Sequence, residues 1–255
     1  MQYVRYQMAT DQPRFGWILG DKVGEVQGTP FGEFRRMEAE INLERVRLLT
    51  PVLPGKIIGV EVNFQQPSPD ESPELPEYPS LFIKPPSTVI GANQPIIMPP
   101  QSKQVEHDVH LAVVIGRSGR WIPPENARDF IFGYTVATDI TARDLQKKDR
   151  HLVRAKGFDT FLSLGPWIET DLDVIDILMT CRVKGELRQM ASTREMFFSV
   201  PQLLAFISSI MTLNPGDVIL SGSPAGSGPL FPGDMVQSSI EGIGDLINPV
   251  ASPAA

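Results

Sequence analysis

Short apolar runs separated by proline and glycine are the feature that most constrains the fold of this chain. Twenty-four of its 255 residues are proline, above the ~5% of an average protein. Residues 56–60, 81–83, 111–115 and 131–138 are rich in β-branched or aromatic side chains and are bounded by glycine, proline or polar residues. Because proline in sheets is confined to turns, edges and strand ends, this pattern predicts a mostly β fold rather than a helical bundle.

Helical features are fewer. Residues 200–211 place apolar side chains on one face, follow Ser199 as a cap and carry Pro201 in the first turn, which predicts an amphipathic helix. A shorter helix is expected at residues 125–130. We expect a small N-terminal subdomain at residues 1–54 and one main catalytic domain at residues 55–255, because a β-rich core of this length remains one domain.

Net charge, cysteine content and the N-terminal residues limit the possible partners and the expected location of the protein. The net charge of -7 and the absence of a Lys/Arg run disfavour nucleic acid and anionic membranes, so a small molecule is the expected partner. Cys181 is the single cysteine, and we interpret it as a buried small hydrophobe. The first twenty residues mix charged and polar side chains, which is unlike a signal peptide or a spanning helix and favours a cytoplasmic protein.

Residues 106–110 are the first candidate site. They enter an apolar strand, and alternation places Glu106, Asp108 and His110 on one face, with His107 and Val109 on the other. A carboxylate beside an imidazole at the start of a buried strand suits a divalent cation, which would offset the cost of burying these groups. The alternative is a solvated strand end without a ligand.

Three further segments carry polar groups that suit chemistry. Asp139 is expected to end a second apolar strand, where it is either another metal ligand or a helix cap. Lys156 precedes Gly157 and could stabilise negative charge on an oxo acid, or be an ordinary surface lysine. Residues 221–228 are Gly/Ser-rich, so their backbone N–H groups could hold a carboxylate, or the segment is only a turn.

Taken in order, these segments resemble the fumarylacetoacetate hydrolase family. The resemblance rests on EHDVHLAVVIG, GYTVATDITARDLQ, KGFDTFLSLGPW, PGDVILSGSPAGSG and GDMVQSSIEGIGDLIN, and it covers residues 56–250. Several ordered motifs over that span are far more specific than any one of them.

The resemblance implies a fold of mixed β-sheets rolled into a barrel-like core with a few short helices, usually as a homodimer. It also implies Mg²⁺ or Mn²⁺ as cofactor and a 2-oxo acid as substrate, whose enolate the metal stabilises. The residues it assigns are Asp108, His110 and Asp139 as metal ligands, Arg143, Gln146, Gly222 and Ser223 around the substrate, and Lys156 as a catalytic group.

The chain departs from the family pattern at two functional places. Asp108 and His110 stand where the family has two glutamates, and imidazole suits Mn²⁺, Fe²⁺, Co²⁺ or Zn²⁺ better than Mg²⁺. In the expected lid, residues 65–79, Pro67 replaces the histidine of the hydrolytic pair and Asp70 stands at the glutamate position. Asp70 is therefore the catalytic base that the lid could supply.

Three functions remain open from the sequence. The first is hydrolysis of a C–C bond in a 2,4-dioxo acid of the acylpyruvate type. The second is an isomerase, tautomerase or decarboxylase acting on a related 2-oxo or 2-hydroxydienoic acid such as oxaloacetate, which the missing lid histidine favours. The third is a ligand-binding relative that has lost catalysis through the altered pair at positions 108 and 110.

Overall fold

Most of the chain forms β-strands in two sheets. The computed structural model describes residues 1–9, 11–65 and 76–253. Their strands are β1 (Gln2–Gln7), β2 (Arg14–Leu19), β3 (Lys22–Gly28), β4 (Phe34–Asn42), β5 (Arg47–Leu49), β6 (Ile57–Val60), β7 (Leu81–Lys84), β8 (Val89–Ile90), β9 (Ile96–Ile97), β10 (Val105–Ile115), β11 (Ile131–Ala142), β12 (Leu162–Glu169), β13 (Leu178–Val183), β14 (Glu186–Ser192), β15 (Val218–Leu220), β16 (Met235–Ile240) and β17 (Gly244–Ala251). The predicted mostly β fold is confirmed.

The two sheets pack against each other through one apolar core. The longer sheet has the order β4-β3-β2-β1-β12-β11-β10-β15-β6-β7, and the shorter sheet has the order β14-β13-β16-β17-β9. Buried side chains of β10 and β11, such as Leu111 and Val136, join those of the shorter sheet, such as Met179 and Leu246, in one cluster. Within the described ranges the sheets stay open, so the expected rolled core is not a closed barrel.

The antiparallel pair of β10 and β11 is the central element of the fold. Its register aligns Asp108 with Asp139 and His110 with Ala137. Nearly every residue of both strands is buried, so their polar side chains must find partners inside the protein. Asp139 lies within β11, which continues to Ala142, so the alternative of a helix cap is wrong. Ala142 is the residue that precedes the next helix.

Helices are short, as expected. They are α1 (Arg143–Asp149), α2 (Leu152–Lys156) and α3 (Val200–Ile210), with a 3-10 helix at Pro124–Phe130 where a short helix was predicted. In α3 the predicted apolar face is buried, and Ser199 forms a capping box with Gln202. None of the helices in the described ranges is long and apolar enough to span a membrane.

The first five strands extend the longer sheet. β1 pairs with β12 through Gln2 opposite Glu169 and Tyr3 opposite Ile168, and β2, β3 and β4 follow outwards. A boundary at residue 54 stays a prediction. Cys181 is fully buried in β13, as expected of a small hydrophobe.

Candidate active site

Alternation along β10 sorts its polar residues onto two faces, as predicted. His107 points into the core, where its Nδ1 lies 3.4 Å from the sulfur of Cys181. Asp108 and His110 instead line a pocket of about 340 Å³. Burial lowers the pKa of His107 to about 4 and that of His110 to about 3, so both rings are neutral at physiological pH.

Asp139 lies beneath the pocket between two lysines. The Nζ atom of Lys84, the last residue of β7, is 2.6 Å from Oδ1, and the Nζ atom of Lys156, the last residue of α2, is 2.5 Å from Oδ2. Lys156 also donates to the hydroxyl of Thr141 at 2.8 Å. The angle between the Lys84 ammonium and Oδ1 is unfavourable for a hydrogen bond. The attraction between two opposite charges at 2.6 Å does not depend on that angle, so Lys84 is still an ion-pair partner of Asp139.

Burial and charge set the ionisation of this cluster. Burial alone would raise the pKa of Asp139, but the charges of Lys156 and Lys84 outweigh it and hold that pKa far below its ordinary range. Burial lowers the pKa of Lys84 to about 8, although Asp139 opposes that shift. Asp139 is thus an anion, and its negative charge favours the cationic form of Lys84.

Arg143 joins the pocket carboxylates at the start of α1. Its Nη2 donates to Asp108 at 2.7 Å, its Nε to Glu106 at 3.0 Å and its Nη1 to the Gln146 side chain at 3.1 Å. The hydroxyl of Ser227 also donates to Glu106 at 3.2 Å. Burial raises the pKa of Asp108, and Arg143 opposes that shift only in part. The guanidinium is thus held rigidly at the pocket wall.

The ring of His110 is fixed by the Gly/Ser-rich loop. The backbone N–H of Gly222 donates to Nδ1 at 3.1 Å, while Nε2 lies 3.9 Å from Oδ2 of Asp139. Gly222 has a φ of +100°, and a Cβ there would lie 2.4 Å from Cβ of Asn63. Only glycine therefore lets this N–H approach the imidazole without strain.

The pocket is polar and bounded by few apolar groups. It is lined by Val60, Glu61, Val62, Phe82, Asp108, His110, Arg143, Lys156, Ser223, Pro224, Gly226 and Ser227. The Phe82 ring lies 4.3 Å from the Lys156 ammonium. A larger and more apolar groove of about 830 Å³ adjoins it and shares Glu61 and Phe82. We place the chemistry in the smaller pocket, because the charged side chains converge there.

Most of the predicted site residues therefore come together. Asp108, His110, Arg143, Lys156 and Ser223 line the pocket, Asp139 lies beneath it, Gly222 supports His110, and Gln146 lies at the adjoining groove. Asp70 lies outside the described residues. The roles of all these residues stay predictions.

Sequence reasoning missed Lys84 and Glu61. A lysine that ends a buried apolar strand, just before Pro85, was the available signal for Lys84, since a buried cation requires an anion nearby. Glu61 follows the buried strand β6 directly, but nothing in its sequence position distinguishes it from a solvated residue.

The comparisons with known proteins agree with this fold. The profile described as fumarylacetoacetate (FAA) hydrolase C-terminal matches residues 56–251, and the one described as Rv2993c-like, N-terminal matches residues 1–51. The chain belongs to the fumarylacetoacetate hydrolase family, whose members are enzymes that include isomerases, tautomerases and hydrolases.

Three relatives illustrate the range of that family. The mitochondrial oxaloacetate tautomerase Fahd2a of Rattus norvegicus is 37% identical over 231 residues, 85% of this chain and 74% of that protein. The structure of 5-carboxymethyl-2-hydroxymuconate delta-isomerase from Mycobacterium smegmatis is 41% identical with a TM-score of 0.92, covering 99% of this chain and all of the other. The structure of maleylpyruvate hydrolase from Sphingobium sp. SYK-6 with manganese(II) and pyruvate is 27% identical with a TM-score of 0.82, covering both chains completely.

Family members generally bind a divalent metal, but the donor groups here do not fit one. Both oxygens of Asp139 face lysine ammonium groups, Asp108 is bound by Arg143, and the Nδ1 lone pair of His110 is occupied by Gly222. Among residues 1–9, 11–65 and 76–253, no three His, Cys, Asp or Glu side chains are disposed to hold a metal ion. The three predicted ligands are neighbours, but their acceptor atoms do not converge on one point.

Proposed function

We propose that this chain is an enol–keto isomerase of small 2-oxo acids, with oxaloacetate-type dicarboxylates as its substrate class. The observation that carries the proposal is the placement of Lys156, held by the buried carboxylate of Asp139, at the wall of a small polar pocket that also presents Arg143 and His110. Fixed positive groups of this kind stabilise the negative charge that develops on the oxygen at C2 when an enolate forms.

The side chains of the pocket divide the reaction between them. Arg143 and Ser223 hold a substrate carboxylate, while Lys156 and the His110 ring donate to the C2 oxygen. Asp108 takes the proton from C3 as the C2–C3 double bond forms and the carbonyl electron pair moves to oxygen. Asp108 then returns that proton to the oxygen, which completes the enol. Asp108 suits this task because it lines the pocket and its raised pKa makes it a better base.

Hydrolysis of a C–C bond is the second candidate, and similarity to a maleylpyruvate hydrolase supports it. Identity is higher to the named isomerase and tautomerase, at 41% and 37% against 27%. Hydrolysis also requires a base that activates water, which we expected from the segment that contains Asp70. The pocket groups described above suffice for proton transfer on an enol, so isomerisation is the function that they support best.

The test is enol–keto conversion of oxaloacetate, followed by the loss of enol absorbance. We expect Lys156→Met to lower kcat/KM about 100- to 1000-fold, the usual effect of removing one oxyanion donor. Lys148→Met is the matched control, because Lys148 is an exposed lysine of the neighbouring helix α1, and it should behave as the wild type. Equal rates for wild type and Lys156→Met would disprove the proposed role.

Acylpyruvates separate the remaining alternatives. Release of pyruvate from them would identify the hydrolase, and release of CO₂ from oxaloacetate would identify the decarboxylase. Inactivity on every substrate would leave a ligand-binding protein. A homodimer and a cytoplasmic location stay predictions, and light scattering of the purified chain measures the first of them.

A further inference from the structure

His110 offers the pocket a hydrogen-bond donor and no lone pair. A nitrogen of an imidazole that accepts a hydrogen bond carries no proton, and Nδ1 accepts from the backbone N–H of Gly222 at 3.1 Å. The ring is therefore neutral, with its proton on Nε2. Nε2 lies 3.9 Å from the carboxylate of Asp139, too far for a hydrogen bond, so this N–H remains available to a ligand.

A metal ion at this position would conflict with that hydrogen bond. Coordination through Nε2 would require both ring nitrogens to be unprotonated, which is an imidazolate. The alternative, coordination after loss of the Gly222 contact, would leave a buried backbone N–H without its partner, which is costly. Neither route applies to a carboxylate, whose two oxygens are both acceptors.

The substitution at position 110 therefore changes the type of group that the pocket presents. A glutamate, as in the family pattern, could accept from Gly222 with one oxygen and offer the other to a cation. Histidine keeps the first acceptor through Nδ1 and replaces the second with the Nε2 donor. One change of residue thus turns a preference for a cation into a preference for an anion at the same point.

The charges around His110 have the same consequence. The carboxylates of Glu106, Asp108 and Asp139 lie against the cationic groups of Arg143, Lys84 and Lys156. These six charges balance without any ion. Glu61 is the one further carboxylate that the described residues place in the pocket lining, and a single carboxylate cannot neutralise a divalent cation. Lys156 and Arg143 line the same pocket as His110, and both attract an anionic ligand.

We infer that the pocket binds the oxygens of a 2-oxo acid directly through His110 Nε2–H, Lys156 and Arg143, without a divalent cation. The class of ligand rests on the proposed function, whereas the independence from metal rests on the donor pattern of His110.

Two variants of equal shape test the inference. His110→Gln keeps the pattern, because its amide oxygen can accept from Gly222 while its NH₂ donates to the pocket. His110→Glu reverses the pocket-facing group to an acceptor. Oxalate is the probe for the oxo-acid site, with binding measured by calorimetry in EDTA, and Mn²⁺ binding is measured by electron paramagnetic resonance.

We expect wild type and His110→Gln to bind oxalate in EDTA with similar affinity and to take up no Mn²⁺. His110→Glu should bind oxalate in EDTA on the order of 10- to 100-fold more weakly, because a donor to a charged group is lost, and it should gain Mn²⁺ binding. Stoichiometric uptake of Mn²⁺ by the wild type overturns the inference, and so does failure of the wild type to bind oxalate in EDTA.

Nuclear magnetic resonance of the imidazole nitrogens gives a readout that does not depend on a ligand. We expect a protonated Nε2 and an unprotonated Nδ1 for His110, and the reverse assignment would overturn the inference. If oxalate binds in EDTA but no 2-oxo acid is isomerised, the proposed function fails and the inference stands. If isomerisation occurs only with Mn²⁺, the inference fails and the proposed function stands.

Discussion

Two neutral histidines buried in β10 are expected to make the fold unstable in mild acid. Both rings stay neutral when the chain is folded, because their pKa values are lowered to about 4 for His107 and about 3 for His110, from 6.5. The unfolded chain binds a proton at each below pH 6.5, so the unfolded state gains stability as the pH falls. Their contribution is therefore complete above pH 6.5 and is lost as the pH falls towards 4 and 3.

The size of the effect follows from the shift. One unit of pKa corresponds to about 1.36 kcal/mol. Between pH 7 and pH 5 each histidine then removes about 2 kcal/mol from the free energy of unfolding, and the pair removes about 4 kcal/mol. Asp108 has the opposite effect on the free energy of unfolding. Because its pKa is raised in the folded chain, the folded state takes up a proton at a higher pH than the unfolded state and is stabilised as the pH falls. Comparing the wild type with histidine variants separates the contribution of the imidazoles from that of Asp108.

Urea denaturation at half-unit steps from pH 5 to pH 7 measures this loss. His110→Gln removes one of the two groups, so it should reduce the change by about 2 kcal/mol. His151→Gln is the control, since His151 is exposed beside α2, and it should leave the pH dependence unchanged. Two results would refute the assignment of a buried neutral ring. One is a free energy of unfolding that stays constant from pH 5 to pH 7, and the other is a pH dependence that His110→Gln leaves unchanged.

Three further substitutions test the site. Asp139→Asn leaves two buried lysines without their counter-ion, so the free energy of unfolding at pH 7, measured by urea denaturation, should fall by about 3–5 kcal/mol. A loss under about 1 kcal/mol would contradict this prediction. Gly59→Ala places a Cβ 2.0 Å from the ring of Phe82, which should displace that ring. The fold should be destabilised by about 1–3 kcal/mol, and kcat/KM should fall. Unchanged stability and kinetics would mean that the ring moves freely. Asp108→Asn should abolish isomerisation of oxaloacetate but retain oxalate binding in calorimetry, and full activity of this variant would exclude Asp108 as the proton carrier.

Local sequence patterns were sufficient for the architecture. The alternation of apolar and polar residues in β10 correctly placed Asp108 and His110 on the face opposite His107, because the two-residue period of a strand is set by its own backbone. The cap and apolar face of α3 were predicted for the same reason, since the contacts that define a helix end lie within one turn. The order of motifs over residues 56–250 identified the family.

The role of Asp139 was less accessible from the sequence. Its position after an apolar run fits a strand end, yet β11 continues to Ala142 because its pairing with β10 continues to Val105. Lys84 was missed because it is separated by 55 residues from Asp139. Only the packing of β7 against α2, and of α2 against β11, places its ammonium group there.

By itself, the sequence determined the strand-rich fold, the family and most of the charged side chains that reach the pocket, since these depend on short-range periodicity and ordered motifs. Only the tertiary structure decided what those side chains can do. The N–H of Gly222, 112 residues from His110 in the chain, sets which imidazole nitrogen carries the proton, and Lys84 and Lys156 occupy the oxygens of Asp139. Hydrogen bonds and ion pairs between distant segments exist only once the chain has folded, so the protonation and charge of the site could not be obtained from residue types alone.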